Sequence, residues 1–257
     1  MVNANRVLTI LFDSFYFIGK IGFLNSVVIR LICKLGHWNV KLPFAAHKLF
    51  WGLCDSLTCI NLRDTRLKAE PEVVQYFQVE NGKSFVDIGA NIGFYTRMMA
   101  LRGVCVYAFE PSPKTYKVLQ ANVKDLWNVQ AFNFALGDEN IDAKTFYLHP
   151  ENSPINGFIL SPDNEHFERI TVKVRMLDNF KLTNVGLIKI DTEGYEYPIL
   201  KGAIETLRRE KPRLIIEMHE PLWRNDNLIA SLLHQLGYKD LQRKWLSSYD
   251  KYFIVAQ

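Results

Sequence analysis

No two cysteines in this chain stand in C-x-x-C spacing, so neither a zinc site nor a dithiol redox centre is indicated. The four present, Cys33, Cys54, Cys59 and Cys105, fit a reducing, cytoplasmic setting. Cys105 sits in an apolar, strand-like run, where a free buried thiol is expected. No uncharged stretch reaches the ~18 residues that a membrane-spanning helix needs. A dense Lys/Arg stripe is also missing, and a net charge of +4 argues against a dedicated nucleic-acid binder. The N-terminus carries no small-residue cleavage site behind its apolar run, which Asp13 interrupts, so a removed signal is not expected. Internal repeats and low-complexity tracts are absent. With 48% apolar and 23% charged residues, the composition is that of a globular chain and excludes a disordered one.

What is present divides into an N-terminal extension, 1–62, and an α/β domain, 63–257. The extension centres on VLTILFDSFYFIGKIGFLNSVVIRLICKL, an apolar and aromatic stretch. At about 100° per residue, Arg6, Asp13, Lys20 and Lys34 fall on one narrow stripe and nearly everything else is apolar. Such a helix needs cover on most of its surface. The expectation is peripheral contact with the cytoplasmic membrane face through residues 5–62, the charged stripe at the headgroups. Packing on the domain or on a second subunit is the alternative.

Beyond residue 63, strand-like and helix-like segments alternate, which predicts a parallel sheet covered on both faces. Strands are expected at Ser84–Ile88, Val104–Glu110, Val129–Ala135, Val185–Ile190 and Arg213–Met218. Helices are expected at Glu70–Gln78, Gly93–Leu101, Thr115–Leu126, Ile199–Glu210 and Asn227–Leu236. A polar insertion, Asp138–Leu177, contains a further strand pair, Lys144–His149 with Ile170–Met176. The chain closes on a hairpin, Lys239–Trp245 with Tyr252–Ala256.

The strongest motif is VDIGANIGFYT, residues 86–96, a strand that runs through two glycines into a helix. Gly89 permits a sharp turn and close approach of a ligand; Gly93 permits the helix to start tight against the sheet. Asp87 can accept hydrogen bonds from loop amides or, through water, from a ligand's amino group. A nicotinamide-dependent oxidoreductase would show G-x-G-x-x-G here, and no third glycine stands in register. Glu110 ends the next strand 23 residues after Asp87, near the offset at which a carboxylate reaches ribose hydroxyls. Phe134, Ala135 and Leu136, at the end of the third strand, stand where an adenine ring would be flanked.

These segments resemble the FkbM family of class I methyltransferases. FVDIGANIGFYT, AFEPSP, FALGD and IKIDTEGYE stand in the family's order, and LIIEMHEP fits its fifth strand. The resemblance spans about residues 70–256 and leaves the extension outside it. It implies a Rossmann-like sheet of seven strands with the last one antiparallel, S-adenosyl-L-methionine as cofactor, and O-methylation, often of sugar or natural-product hydroxyls. Residue by residue, it places cofactor contacts on Asp87, Gly89, Asn91, Gly93, Glu110, Pro111, Ser112, Ala135 and Leu136.

Reaction chemistry is expected at Lys189–Glu196, an acidic cluster following an apolar strand. Transfer from a sulfonium to an aliphatic alcohol is an in-line displacement, and the alcohol's proton needs an acceptor. Asp191 and Glu193 are the first candidates, and His219, ending the next strand, is the third. Glu193 and Glu196 equally suit capping of the following helix, and Lys189 neutralisation of the acidic turn. His219-Glu220 is no H-E-x-x-H zinc motif, because Trp223 replaces the second histidine. Magnesium shared by Asp191, Glu193, Glu217 and His219 is the alternative to a metal-free site. In the insertion, His149 and Asn152–Gly157 are substrate-facing candidates. The acceptor expected is a small molecule, glycan or glycolipid and not a nucleic acid, since no Asp/Asn-Pro-Pro-aromatic segment follows the fourth strand. The remaining rival is a membrane-attached scaffold that binds cofactor without catalysis.

Overall fold

The computed structural model describes residues 71–148, 156–158, 167–219, 226–245 and 251–257. The N-terminal extension, its boundary with the domain, and His149 lie outside the described residues. No helix among the described residues is long and apolar enough to cross a membrane.

Among the described residues, ten strands form two sheets. The larger contains β1 (Ser84–Ile88), β2 (Cys105–Phe109), β3 (Val129–Phe132), β7 (Val185–Ile190), β8 (Arg213–His219), β9 (Leu241–Trp245) and β10 (Lys251–Ala256). Its order is β3-β2-β1-β7-β8-β10-β9, seven strands, with β10 antiparallel to both neighbours and the other pairs parallel. Every residue of β1 is buried, as a strand covered on both faces requires. The strand order runs outward in opposite directions from β1 and β7, so a crevice opens beyond their carboxyl ends. That topology matches the sheet the resemblance implied.

The helices are α1 (Pro71–Val74), α2 (Phe94–Ala100), α3 (Pro113–Val123), α4 (Glu196–Lys201), α5 (Ile204–Glu210) and α6 (Asp226–Gln235). The main core lies between β1, β7, β8, β10 and the helices α4 to α6, with Ile188, Ile190, Leu200, Leu214, Ile229 and Ile254 buried in it.

Four expectations are corrected. The single strand Val129–Ala135 is two: after Phe132 the chain leaves the large sheet, and β4 (Ala135–Leu136) joins a smaller one. Asn133 makes the exit, its amide donating to the carbonyls of Glu110 (2.8 Å) and Pro111 (2.9 Å). The helix Ile199–Glu210 is broken between α4 and α5, because Gly202 passes so near the next segment that a Cβ there would lie 1.8 Å from the Gly137 carbonyl oxygen. The helix Glu70–Gln78 stops at Val74, which frees Phe77 to stack on Tyr95 with ring centroids 4.3 Å apart. Cys105 is exposed, since it opens β2 at the sheet's amino edge.

The inserted strand pair is present as β5 (Ile141–Leu148) and β6 (Glu168–Arg175), antiparallel, with β4 parallel to β6 on its other side. A short 3-10 turn, Leu177–Phe180, then caps α5 from a distance. Asp178 accepts from the backbone N–H of Glu205 (3.0 Å) and from both the N–H (2.8 Å) and hydroxyl (2.7 Å) of Thr206. The helix's own first position, Ala203, supplies no side-chain cap. Asp178→Ala is therefore expected to destabilise the fold by about 1–2 kcal/mol, read as a lower urea midpoint at unchanged slope.

Candidate active site

The site grows from the turn after β1. Gly89 (φ 73°), Asn91 (φ 51°) and Gly93 (φ 89°) all adopt left-handed backbone, so the strand reverses into α2 within a few residues. A Cβ on Gly89 would lie 1.9 Å from the carbonyl oxygen of Asp191, because the end of β7 occupies that space. Gly93 starts α2 against Leu119 of α3, not against the sheet: a Cβ there would meet Leu119 at 2.5 Å. The tightness foreseen at both glycines is real, but the neighbours are the adjoining strand end and the adjoining helix.

Asp87 is wholly buried and points inward. Its Oδ2 accepts the Thr96 hydroxyl at 2.6 Å, and its Oδ1, which accepts no hydrogen bond among the described residues, lies 3.6 Å from the Lys189 ammonium.

Glu110 sits one residue past β2, and its two oxygens are held separately. Oε2 accepts the backbone N–H of Asn91 (3.0 Å), and Oε1 accepts that of Ser112 (2.9 Å). Ser112 in turn caps α3, its hydroxyl accepting from the Thr115 N–H at 3.3 Å, with Pro113 at the first turn. Burial pushes the Glu110 carboxyl up to about 7, against the pull of the two amides and of Lys189. A carboxylate so buried still has acceptor capacity at both oxygens, and a pair of adjacent hydroxyls would complete it. By that measure the turn and Glu110 fit the ribose of S-adenosylmethionine. Ala135 and Leu136 are both buried, Ala135 in the small-sheet core and Leu136 in the main one. Phe134 is half-buried beside them, under the Arg175 guanidinium at 5.6 Å.

The acidic cluster follows β7 at the neighbouring strand end. The Asp191 N–H donates to the Ile88 carbonyl (3.1 Å), which docks this turn on the end of β1. Its carboxylate, partly exposed, pairs with Lys189 at 3.1 Å. Glu193 is half-buried and left-handed (φ 54°). Glu196, buried, holds the turn together: one oxygen accepts from Thr192 N–H (3.2 Å), Thr192 hydroxyl (3.1 Å) and Gly194 N–H (3.0 Å). It ties the turn to itself and does not cap the following helix, whose first position Tyr195 supplies no side-chain cap either.

His219 ends β8, opposite Lys251 on β10, and its side chain lies outside the described residues. Glu217 is buried within the same strand. Among the described residues no three His, Cys, Asp or Glu side chains group as a metal site would need. Residues 152–155 lie outside the described ones, but Gly157 is placed: it bridges Tyr147 of β5, and a Cβ on it would lie 3.4 Å from the Glu193 Cβ. Sequence reasoning missed what comes with it. Phe158 lies against Tyr195, ring centroids 4.4 Å apart, and Lys144 donates to the Tyr195 hydroxyl. Only the folded insertion brings Phe158 and Lys144 to the acidic turn.

Comparison with known proteins gives the family and the fold. A family model described as the methyltransferase FkbM domain matches residues 87–239. Among solved structures, the chain is similar to the FkbM methyltransferase of Methylobacillus flagellatus at 20% identity and a TM-score of 0.50. That match covers 70% of this chain and 45% of the other, so this chain spans under half the length of that relative, and the likeness speaks to the fold alone. A weaker likeness, TM-score 0.47 at 13% identity over 75% of this chain and 74% of the other, is to Aeropyrum pernix fibrillarin, which holds natively bound S-adenosyl-L-methionine. No curated protein matches the sequence. Family and fold are those of S-adenosylmethionine-dependent methyltransferases, which sets the nicotinamide reading aside. With the glycine turn, the Glu110 carboxylate and the acidic turn inside the matched region, the chain belongs to the FkbM methyltransferase family.

Proposed function

We propose that this chain transfers a methyl group from S-adenosylmethionine to a hydroxyl oxygen, on a sugar of a glycan, a glycolipid or a natural product. The observation that carries the reading is Glu110, pinned by the N–H groups of Asn91 and Ser112 where it can grip two neighbouring hydroxyls. The bound cofactor supplies an electrophilic methyl carbon on a sulfonium centre.

The chain's own residues do the rest. Glu110 anchors the ribose, and the turn between Gly89 and Gly93, left-handed at both glycines, brings backbone close to the cofactor. When bound, the cofactor would supply that methyl carbon to the acceptor oxygen, its sulfur keeping the electron pair of the carbon–sulfur bond. Asp191 or Glu193 accepts the hydroxyl proton, both standing on the turn docked against the end of β1. The half-buried rings of Phe158 and Tyr195, beside that turn, offer apolar faces of the kind that sugar C–H groups pack against. Residues 5–62 would bring the site to membrane-borne acceptors through the apolar face read from their sequence.

Incubation with methyl-labelled cofactor and cell extract divided into lipid, glycan, protein and nucleic-acid fractions tests the proposal. Label is expected in the glycan or lipid fraction, released as a methyl ether of a sugar. Label entering only protein or nucleic acid would overturn the acceptor class.

A further inference from the structure

Lys189 is the one cation in β7, flanked by Ile188 and Ile190, and it is 1% exposed. An ammonium taken out of water is costly unless every side of it is met by a partner. Here the partners come from three segments: Asp191 Oδ2 at 3.1 Å, the Gly89 carbonyl at 3.3 Å and Asp87 Oδ1 at 3.6 Å. The Tyr95 ring covers the ammonium at 5.3 Å. Asp87 is itself tied into α2 through Thr96.

One ammonium therefore joins the strand that leads into the cofactor turn, the turn itself and the proton-accepting turn beyond β7. The main chain of Asp191 is already fixed by its bond to Ile88 and by its contact with Gly89. Of the partners described for its carboxylate, Lys189 is the one reached from inside the sheet. Apolar residues of similar volume fill such interiors at least as stably as an ion pair does. A buried lysine at this point suits geometry better than stability.

We infer that Lys189 is a positioning residue: its ammonium holds the Asp191 carboxylate and the Gly89 carbonyl in one frame, so that the cofactor half and the proton-accepting half of the site are aligned before either ligand arrives. The inference rests on the methyl-transfer reading. The charged groups that bear on Asp191 are Lys189, paired with its carboxylate, Asp87 on the same ammonium, Glu193 and Glu196 farther along the same turn in sequence, and Glu110, which feels the charges of Lys189 and Asp87.

Lys189→Met alone strands the buried Asp87 carboxylate and threatens the fold, so the test is the pair Asp87→Asn with Lys189→Met, which removes both buried charges. In the full-length folded variant, affinity for S-adenosylhomocysteine by calorimetry is expected to fall about tenfold. The titration midpoint of the Asp191 carboxyl, followed by 13C NMR, is expected to rise by about one pH unit as its cation is lost. A folded double variant with wild-type affinity and an unmoved midpoint would sink the idea. If the wild type gives no heat with S-adenosylhomocysteine, methyl transfer itself fails, and the midpoint alone then decides the role of Lys189. Should the double variant not fold, the wild-type Lys189 15Nζ resonance decides. It is expected to exchange slowly with water and to sharpen its loss on Asp191→Asn; a resonance indifferent to that change overturns the inference.

Discussion

Replacing Gly89 by alanine is expected to remove about 2–5 kcal/mol of stability and to abolish cofactor binding together with it. Two costs add. A side chain at φ 73° carries a left-handed penalty of roughly 1–2 kcal/mol. The new Cβ would lie 1.9 Å from the Asp191 carbonyl oxygen, a backbone atom that cannot turn aside as a side chain does. Relief requires the end of β7 to move away from β1, which costs a further ~1–3 kcal/mol of packing and breaks the Asp191–Ile88 hydrogen bond. Against a typical domain stability of about 5–15 kcal/mol, that is a large fraction. Gly103→Ala is the control, because Gly103 has a similar φ of 83° and nothing within 4 Å of its added Cβ. Urea denaturation should show only ~1–2 kcal/mol lost there. Equal losses at the two glycines would mean that backbone conformation, and not the contact with Asp191, governs the turn.

The second large effect is expected at Glu110. Glu110→Gln keeps the volume but turns an NH2 group toward one of the two amides that now donate to it, and it removes the charge from the proposed ribose contacts. Hydrogen bonds to a charged group contribute about 1.5–3 kcal/mol each, so affinity for S-adenosylhomocysteine should fall about 100-fold or more.

The same residue gives binding a pH signature. Burial raises its carboxyl from 4.5 to about 7 in the ligand-free fold. Between those values the folded state keeps a proton that the unfolded chain has lost, so ν_U − ν_N is negative and stability falls as pH rises. Ribose hydroxyls donate to the ionised form, so binding below pH ~7 must expel that proton. Affinity should rise from about pH 5.5 and level off above about 7. Calorimetry in buffers of different ionisation enthalpy should count up to one proton released on binding in the acid range, and none in Glu110→Gln. Proton release that survives the substitution would assign the titration to another group.

The glycine turn was legible in the chain because it is local: two glycines between an apolar strand and a helix leave the backbone few alternatives. Glu110 was legible for a related reason, since one strand–helix–strand unit fixes how far apart two adjacent strand ends fall. Periodicity also located β1 and β7 to the residue, both being apolar runs bounded by turns.

Where local preference met a distant neighbour, the reading failed. Val129–Ala135 is a continuous strand by composition, yet Asn133 finds the Glu110 and Pro111 carbonyls and turns the chain into a second sheet. Ile199–Glu210 is a continuous helix by composition, yet Gly202 must pass the Gly137 carbonyl, a segment 65 residues earlier in the sequence (202 − 137 = 65). Lys189 read as a neutraliser of the acidic turn because its sequence neighbours include Asp191. That it also reaches Asp87 and Gly89 depends on the parallel pairing of β1 with β7, which no local pattern encodes. Phe158 and Lys144 meet Tyr195 only once the insertion folds back over the acidic turn.

The order of strands and helices, the place of the glycine turn and the acid just past β2 follow from the chain alone, because hydrophobic period and turn chemistry act over a few residues. Which atoms occupy the space beside Gly89, what surrounds the buried lysine and which rings stand by the acidic turn were decided only by tertiary structure, because those contacts form between segments that the chain keeps far apart and that only the closed sheet brings within bonding distance.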